Sequence, residues 1–518
     1  MSKHLKTILV YLYIFGVFAL PLSLEAKIPG TDSQILYVIE PLCILAIFGL
    51  TIYVLITQTK KWTLRFNLTD KLIVAHFIAL FIATIYSDDL FVSMKYFVTL
   101  TWYLCFGYVI PRMISFSRKE FKQAILAHLA GVALLSIYTL VQWSRMGIFY
   151  ESSYHVAKPF LEIGHTNLSV LIELPLFILA GVFLLTQNSL KRNAVVAILF
   201  TIYLAVIIFS CSKASYFTVL VCFIFFLFGI LKIKGSKTIY YTVGILGVLG
   251  ILGLMIVKGY LIRILNLIHF QEYQLIYVIA TLAAYVFYLF RNRRKKHGKI
   301  LMYISLPLVL LISVWYANDF IHETKYKDQK RSYYSGGDAY YNSKDRSTYK
   351  PTSIIAELAG AGEVESNNSN LERRNRWKVG IKMMLDKPMA GVGLGTFADK
   401  YLETKRNSGV DVNYLTKIRM NIHNMYLGWL VEGGVYTFVT GACLFMLIVA
   451  GFGIYFSSQK NAHIKLVLFM FFLSFALHAF AHDFNQDARV IIPFWGALAV
   501  LSRMLESTNK KKRTIIKV

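Results

Sequence analysis

The chain has 518 residues, of which 56% are hydrophobic and 16% charged, with a mean hydropathy of +0.54. That is too apolar for an ordinary soluble domain and points to a polytopic membrane protein. The formal charge of +27 does not read as a nucleic-acid footprint, because the basic residues sit in short clusters between apolar runs and no soluble domain carries a basic face. Cys43, Cys105, Cys211, Cys222 and Cys443 fall in or at the ends of apolar runs without metal-ligand spacing and read as packing residues.

The first apolar run, 8–24, follows Lys3 and Lys6 in the manner of a signal peptide, but a second long run comes directly after it, so it reads as the first span. Runs of roughly 17–23 residues, each enough to cross about 30 Å of hydrocarbon as a helix, recur at 35–57, 70–86, 91–110, 122–143, 167–186, 194–210, 214–231, 239–257, 273–290, 300–316, 434–456, 465–481 and 489–503. The expected fold is all-α: a polytopic transmembrane helical bundle of about 12–14 spans.

Lys60, Lys61 and Arg65, then Arg112, Arg118 and Lys119, Lys191 and Arg192, Lys232 to Lys237, the run from Arg291, Lys460 and the tail from Lys510 all fall on one side of such a bundle. The positive-inside rule makes that side cytoplasmic and puts both termini there. The chain then divides into membrane helices with short loops over 1–316, one large loop on the opposite face over 317–420, the last membrane helices over 421–503, and a basic tail over 504–518. Asp88 and Asp89, in a short turn on the loop side, read as a solvated pair.

The large loop changes character along its length. Its first half, with YYSGGDAYYNSKDRSTYKP, has little apolar periodicity. From 375 to 385, Trp377, Ile381, Met384 and Leu385 recur at helical spacing, with Arg373, Arg374, Lys378 and Lys382 supplying basic positions. The expectation is an amphipathic helix on the membrane surface, its basic side toward lipid phosphates. Pro388 and the alternating Gly391, Gly393 and Gly395 then suit a turn packed closely on something else. They are not a dinucleotide fingerprint, since no strand precedes them.

His423 and Asn424 close the loop. An imidazole with an ordinary pKa near ~6.5 at an interface suits a general base, and a capping histidine that only hydrogen-bonds is the alternative. Asn424 either orients that ring or caps the helix that follows. Further on, His478, His482, Asp483, Asp487 and Arg489 cluster between the last two runs. No spacing fixes a third metal ligand there, so a structural or substrate-lining role is the expectation.

The order Arg373, Trp377, DKPMAGVGLGTF from Asp386, and His423-Asn424 followed by Gly434 and Thr437 resembles the O-antigen ligase and polymerase superfamily of membrane glycosyltransferases. The spacing from His423-Asn424 to Gly434 and Thr437 is similar to the signature of its ligase branch. EIGHTNLSVLIELPL, with Asn167, and FSCSKASYFTVL, with Lys213 where many members have arginine, resemble two earlier family stretches.

The resemblance implies a GT-C-like architecture and metal-independent transfer of a preassembled glycan from undecaprenyl diphosphate to an acceptor hydroxyl, with no cofactor. For ligases the acceptor is the lipid A core, and the site faces the periplasm from the bacterial inner membrane. The catalytic expectation falls on His423 and Asn424. The substrate-binding expectation falls on Arg373, Lys213, Arg374, Arg376, Asn167 and His482, with membrane lipids as alternative partners of Arg374 and Arg376. Guanidinium forks match phosphate oxygens better than the point charge of Lys213 does. An O-antigen or exopolysaccharide polymerase, a protein O-oligosaccharyltransferase and a transporter of lipid-linked glycans are the other readings.

Overall fold

A computed structural model describes residues 2–23, 25–27, 34–36, 39–57, 66–146, 165–185, 190–210, 212, 214–215, 217–219, 221–223, 225–226, 368–407, 421–456, 462–485 and 487–515. The expected spans at 239–257, 273–290 and 300–316 and the first half of the large loop lie outside them. Apart from a short antiparallel pairing of Glu25–Lys27 with Gln34–Leu36, the described regular structure is helical, and the chain is an all-α polytopic protein.

In chain order the helices are α1 (Ser2–Ala19), α2 (Ile39–Thr57), α3 (Leu68–Ile85), α4 (Leu90–Leu104), α5 (Ile110–Met113), α6 (Arg118–Met146), α7 (His165–Leu185), α8 (Leu190–Phe209), α9 (Asn368–Asp386), α10 (Phe397–Asn407), α11 (Met425–Phe456), α12 (Ala462–Ala479) and α13 (Ala488–Ile515). Among the described residues six helical segments are long and apolar enough to cross a membrane: 4–22, 39–57, 68–85, 90–113, 118–142 and 425–449. Shorter apolar stretches occupy 167–182, 195–207 and 464–479.

Two compact units divide the chain. One takes in 1–132 with 357–361 and 367–518; the other takes in 133–356 with 362–366. The second unit is represented by the α7–α8 pair, whose inward residues include Ile172, Phe177 and Tyr203, and by Phe223, whose ring lies 5.4 Å from that of Phe177.

In the first unit α11 packs against α3 and against α9. Asn67 starts α3 with a reciprocal cap: its side chain accepts the Asp70 N–H at 3.0 Å, and its own N–H donates to the Asp70 carboxylate at 2.9 Å. The same carboxylate takes the Arg112 guanidinium at 2.7 Å and the Tyr108 hydroxyl at 2.6 Å, so the buried charge is paired and hydrogen-bonded.

At the other end of α3, ~27 Å away for 18 residues, the pair expected to be solvated is engaged. Asp88 forms ion pairs with both Lys387 and Lys400. Asp89 caps α4 by accepting the Val92 N–H at 3.0 Å. A turn that looked solvated in the sequence therefore ties α3 and α4 to the chain around the glycine trio.

Candidate active site

The site grows from a break in α11. Gly434 sits inside the helix with φ of 70° and ψ of −176°, outside the helical region, and the carbonyls and N–H groups this frees are taken by the segment after α9. Val392 donates to the Val431 carbonyl at 2.9 Å, Gly393 to that of Glu432 at 3.1 Å, and Val435 donates to the Pro388 carbonyl at 2.9 Å. Gly391, at φ of 71°, lies so close that an added Cβ would stand 2.5 Å from the Glu432 carbonyl oxygen. One at Gly434 would stand 2.0 Å from that of Met389. Close backbone approach, the reading the sequence suggested for this turn, is what these glycines permit.

Glu432 completes the clamp. Its carboxyl accepts the Gly395 N–H at 3.0 Å and the Phe397 N–H at 3.2 Å, which places an acceptor at the start of α10 where helix N–H groups lack partners. Ser93, on α4, donates to the Leu394 carbonyl at 2.9 Å. Beneath these bonds Val379, Met383, Val392, Phe397, Tyr401, Ile422 and Val431 form one apolar core.

That core sets the orientation of α9, with Trp377 and Met384 packed at its edge. The buried side of α9 carries Asn375, Arg376, Val379 and Met383, while Ile381 and Leu385 point outward. Arg376 is thus turned inward, and its Nη1 donates to the Asn421 carbonyl at 3.2 Å. One residue on, the Trp377 indole donates to the Ile422 carbonyl at 3.1 Å. Two successive carbonyls held from α9 deliver the chain to His423.

His423 adopts φ of 52°, in the left-handed region uncommon for a residue with a side chain. The reversal sends Asn424 into the cap position of α11, where its side chain accepts the Leu427 N–H at 3.0 Å and its carbonyl the Gly428 N–H at 2.8 Å. Capping is therefore what Asn424 does here. From the far side the His482 carbonyl accepts the Met425 N–H at 3.1 Å, and the His482 ring stands perpendicular to that of His423 with centroids 5.4 Å apart. His478 extends the row, 5.3 Å from His482.

Burial, and then the positive charges of Arg376 and Arg373, pull the His423 pKa down to about 3. The ring is neutral at ordinary pH, with a lone pair available to accept a proton. Burial also lowers the pKa of Arg373. Asp483, noted in the sequence only as a member of the polar cluster, is a neighbour: a Cβ on Gly428, in the first turns of α11, would come within 3.3 Å of its carboxyl. Burial pushes that carboxyl up to about 6, against the Asn485 N–H, which donates to it at 3.1 Å.

The structure thus gathers His423, Asn424, Arg373, Arg376 and His482 around one helix start. The Arg374 side chain and Lys213 lie outside the described residues, and Asn167, half-buried near the start of α7, belongs to the other unit. Among the described residues no group of three or more His, Cys, Asp or Glu side chains is placed to hold a metal ion. Glu432 went unnoticed because one carboxylate in an apolar run carries no periodic signal. Asp483 was visible only as part of a polar cluster.

A multi-pass membrane protein with cations and a neutral histidine at the mouth of a broken spanning helix is the class that fold and site define. Residues 273–442 match the family described as O-antigen ligase. Members work in general with lipid-linked glycans and glycan acceptors. No curated protein matches the chain.

Proposed function

We propose that the protein transfers a preassembled glycan en bloc from undecaprenyl diphosphate to an acceptor hydroxyl, that of the lipid A core, at the periplasmic face of a bacterial inner membrane. The observation that carries this reading is the placement of His423, held neutral at the start of α11, beside the charges of Arg376 and Arg373. The acceptor oxygen forms a bond to C1 of the first sugar as the bond from C1 to the diphosphate oxygen breaks. Its proton passes to the neutral His423 ring, and the leaving undecaprenyl diphosphate takes the bonding electron pair. Arg373 and Arg376 offset the negative charge that grows on the departing group, a role fixed cations fill without a metal.

The two ends of α3 support this sidedness. Its Asp70 end holds Arg112, one of the basic residues assigned to the cytoplasmic side, and its Asp88 end holds Lys387 and Lys400 of the site segment. Protease or membrane-impermeant labels should reach 325–370 from the periplasm alone, and cytoplasmic labelling would reverse the assignment.

The direct test is transfer by the purified protein in detergent, with an undecaprenyl-diphosphate-linked glycan as donor, a lipid A core acceptor, and a chelator of divalent ions present. A covalent glycan–lipid A product supports the proposal. Movement of the donor between leaflets of proteoliposomes without such a product identifies a transporter instead. Elongation of the donor glycan identifies a polymerase, and product formed only after magnesium or manganese is restored removes the metal-free step.

A further inference from the structure

The outward face of α9 combines cationic and large apolar side chains. Lys378 is exposed, Ile381 is 44% exposed with Lys382 beside it in the sequence, Leu385 is 68% exposed, and Met389, in the turn beyond the helix, is 60% exposed. Positions 378, 381, 382 and 385 fall on one side at helical spacing, opposite the Asn375, Arg376, Val379 and Met383 face packed on the core. Lys378 and Lys382 alternate on this face with Ile381 and Leu385, and beyond Leu385 the Lys387 charge is paired with Asp88 while Met389 stays exposed.

The apolar end does not stop at α9. Val435 donates to the Pro388 carbonyl at 2.9 Å, and the Met389 carbonyl lies against Gly434. Met389 is thereby joined to the exposed apolar side of the spanning helix, formed by Val435, Tyr436 and Val439. A spanning helix presents that side to hydrocarbon, so the stripe of α9 continues a lipid-facing surface upward into the headgroup layer.

We propose that this face of α9 is an interfacial foot seated in the bilayer leaflet at the His423 end of α11, with Leu385 and Met389 in the acyl region and Lys378 and Lys382 at the level of anionic lipid phosphates. Long cationic side chains with apolar neighbours are suited to this boundary, since the stem lies in the apolar layer and the charge reaches the phosphates. Because the opposite face of the same helix holds Arg376 and the carbonyls leading to His423, the foot fixes the height of the site above the hydrocarbon. That height is where the diphosphate of a lipid-linked donor resides. The link to a donor rests on the glycan-transfer reading; the lipid contact does not.

The test is depth, read in the full-length protein. In a variant whose five cysteines are replaced, a nitroxide is placed in turn at 378, 385 and 389 in nanodiscs of phosphatidylethanolamine and phosphatidylglycerol. Accessibility to oxygen is compared with accessibility to a water-soluble nickel complex. Oxygen should dominate several-fold at 385 and 389 and approach parity at 378. Nickel accessibility at 385 and 389 equal to that of an aqueous loop position overturns the proposal. So does spin–spin broadening that appears with two copies per disc and vanishes with one, which would make the occupant a second chain. A second readout uses Lys378→Glu combined with Lys382→Glu: the nitroxide at 385 should move toward water in phosphatidylglycerol discs, and an unchanged depth removes the charge contribution. Neither measurement needs glycan transfer, so failure of the proposed activity leaves this inference to stand or fall by itself.

Discussion

The Trp377 indole N–H donates to the carbonyl of Ile422, the residue before His423, at 3.1 Å. A ring on one helix thus holds the backbone from which the candidate base projects. Trp377→Phe keeps an aromatic side chain and removes the donor, leaving a partly buried carbonyl without its bond. The net cost of such a loss is about 1 kcal/mol, and the expected outcome is a small fall in thermal stability with a several-fold fall in turnover at saturating donor. Wild-type turnover in the folded variant would show that this bond does not set the position of His423.

Division of labour at the site is the second prediction. The left-handed backbone at His423 makes asparagine a better replacement than alanine, because it tolerates that conformation while providing no base. His423→Asn should lose ~100- to 10,000-fold in transfer yet bind the lipid-linked donor as before. Arg373→Ala should weaken donor binding and turnover together, and Arg373→Lys should restore part of both, since a point charge replaces a fork. A folded His423→Asn enzyme with near wild-type transfer would move the base elsewhere.

The acid side of the pH profile should differ between kcat and kcat/KM. In the free protein His423 is neutral down to pH about 3, because burial, Arg376 and Arg373 all disfavour its charged form. A bound diphosphate offsets those cations, so the pKa rises in the donor complex. A base works only when deprotonated, and a raised pKa moves the loss of activity to higher pH. kcat should therefore fall with acid at a higher pH than kcat/KM for the donor. Asp483, with its carboxyl near 6, can contribute a limb of its own, and Asp483→Asn separates the two. Coincident limbs for kcat and kcat/KM in that variant would mean that donor charge does not tune His423.

Asn424 is expected to act through helix geometry alone. Asn424→Ala removes the acceptor for the Leu427 N–H and should cost about 1 kcal/mol of stability, whereas Asn424→Ser keeps a capping oxygen and should retain both stability and transfer. Thermal melting and single-turnover transfer measure the two effects. A stable Asn424→Ser protein with transfer lowered ~100-fold or more would give the amide a part in the chemistry.

The spanning helices were legible because a membrane helix must be apolar nearly all round for some twenty residues, a pattern long enough to survive local exceptions. The glycine trio was legible as a close turn because few other residues can stand there. The orientation of α9 was not. Periodicity marked Trp377, Ile381, Met384 and Leu385 as one apolar face, but it does not say that Trp377 and Met384 pack on the core while Ile381 and Leu385 stay exposed. At a membrane boundary an apolar side chain can face outward, while a charged one can be held inside by backbone carbonyls such as that of Asn421. Asp88 is exposed, as a solvated pair would be, but its ion-pair partners Lys387 and Lys400 lie about three hundred positions along the chain, and no local pattern announces them.

The bonds that hold α9 and α10 in place also impose an order of assembly. The partners of Val392, Gly393 and Gly395 are Val431 and Glu432, and Met425 is anchored on His482, so each contact runs from an earlier segment to a later one. At roughly 5–20 residues per second of synthesis, Arg376 is made on the order of ten seconds before His482 exists. Over that interval the arginine-bearing helix waits first for the kink of α11 at Gly434 and then for the histidine row. The nascent chain therefore lacks the complete candidate site, and ribosomes stalled between the codons for α11 and α12 should carry chains that sit in the membrane without it.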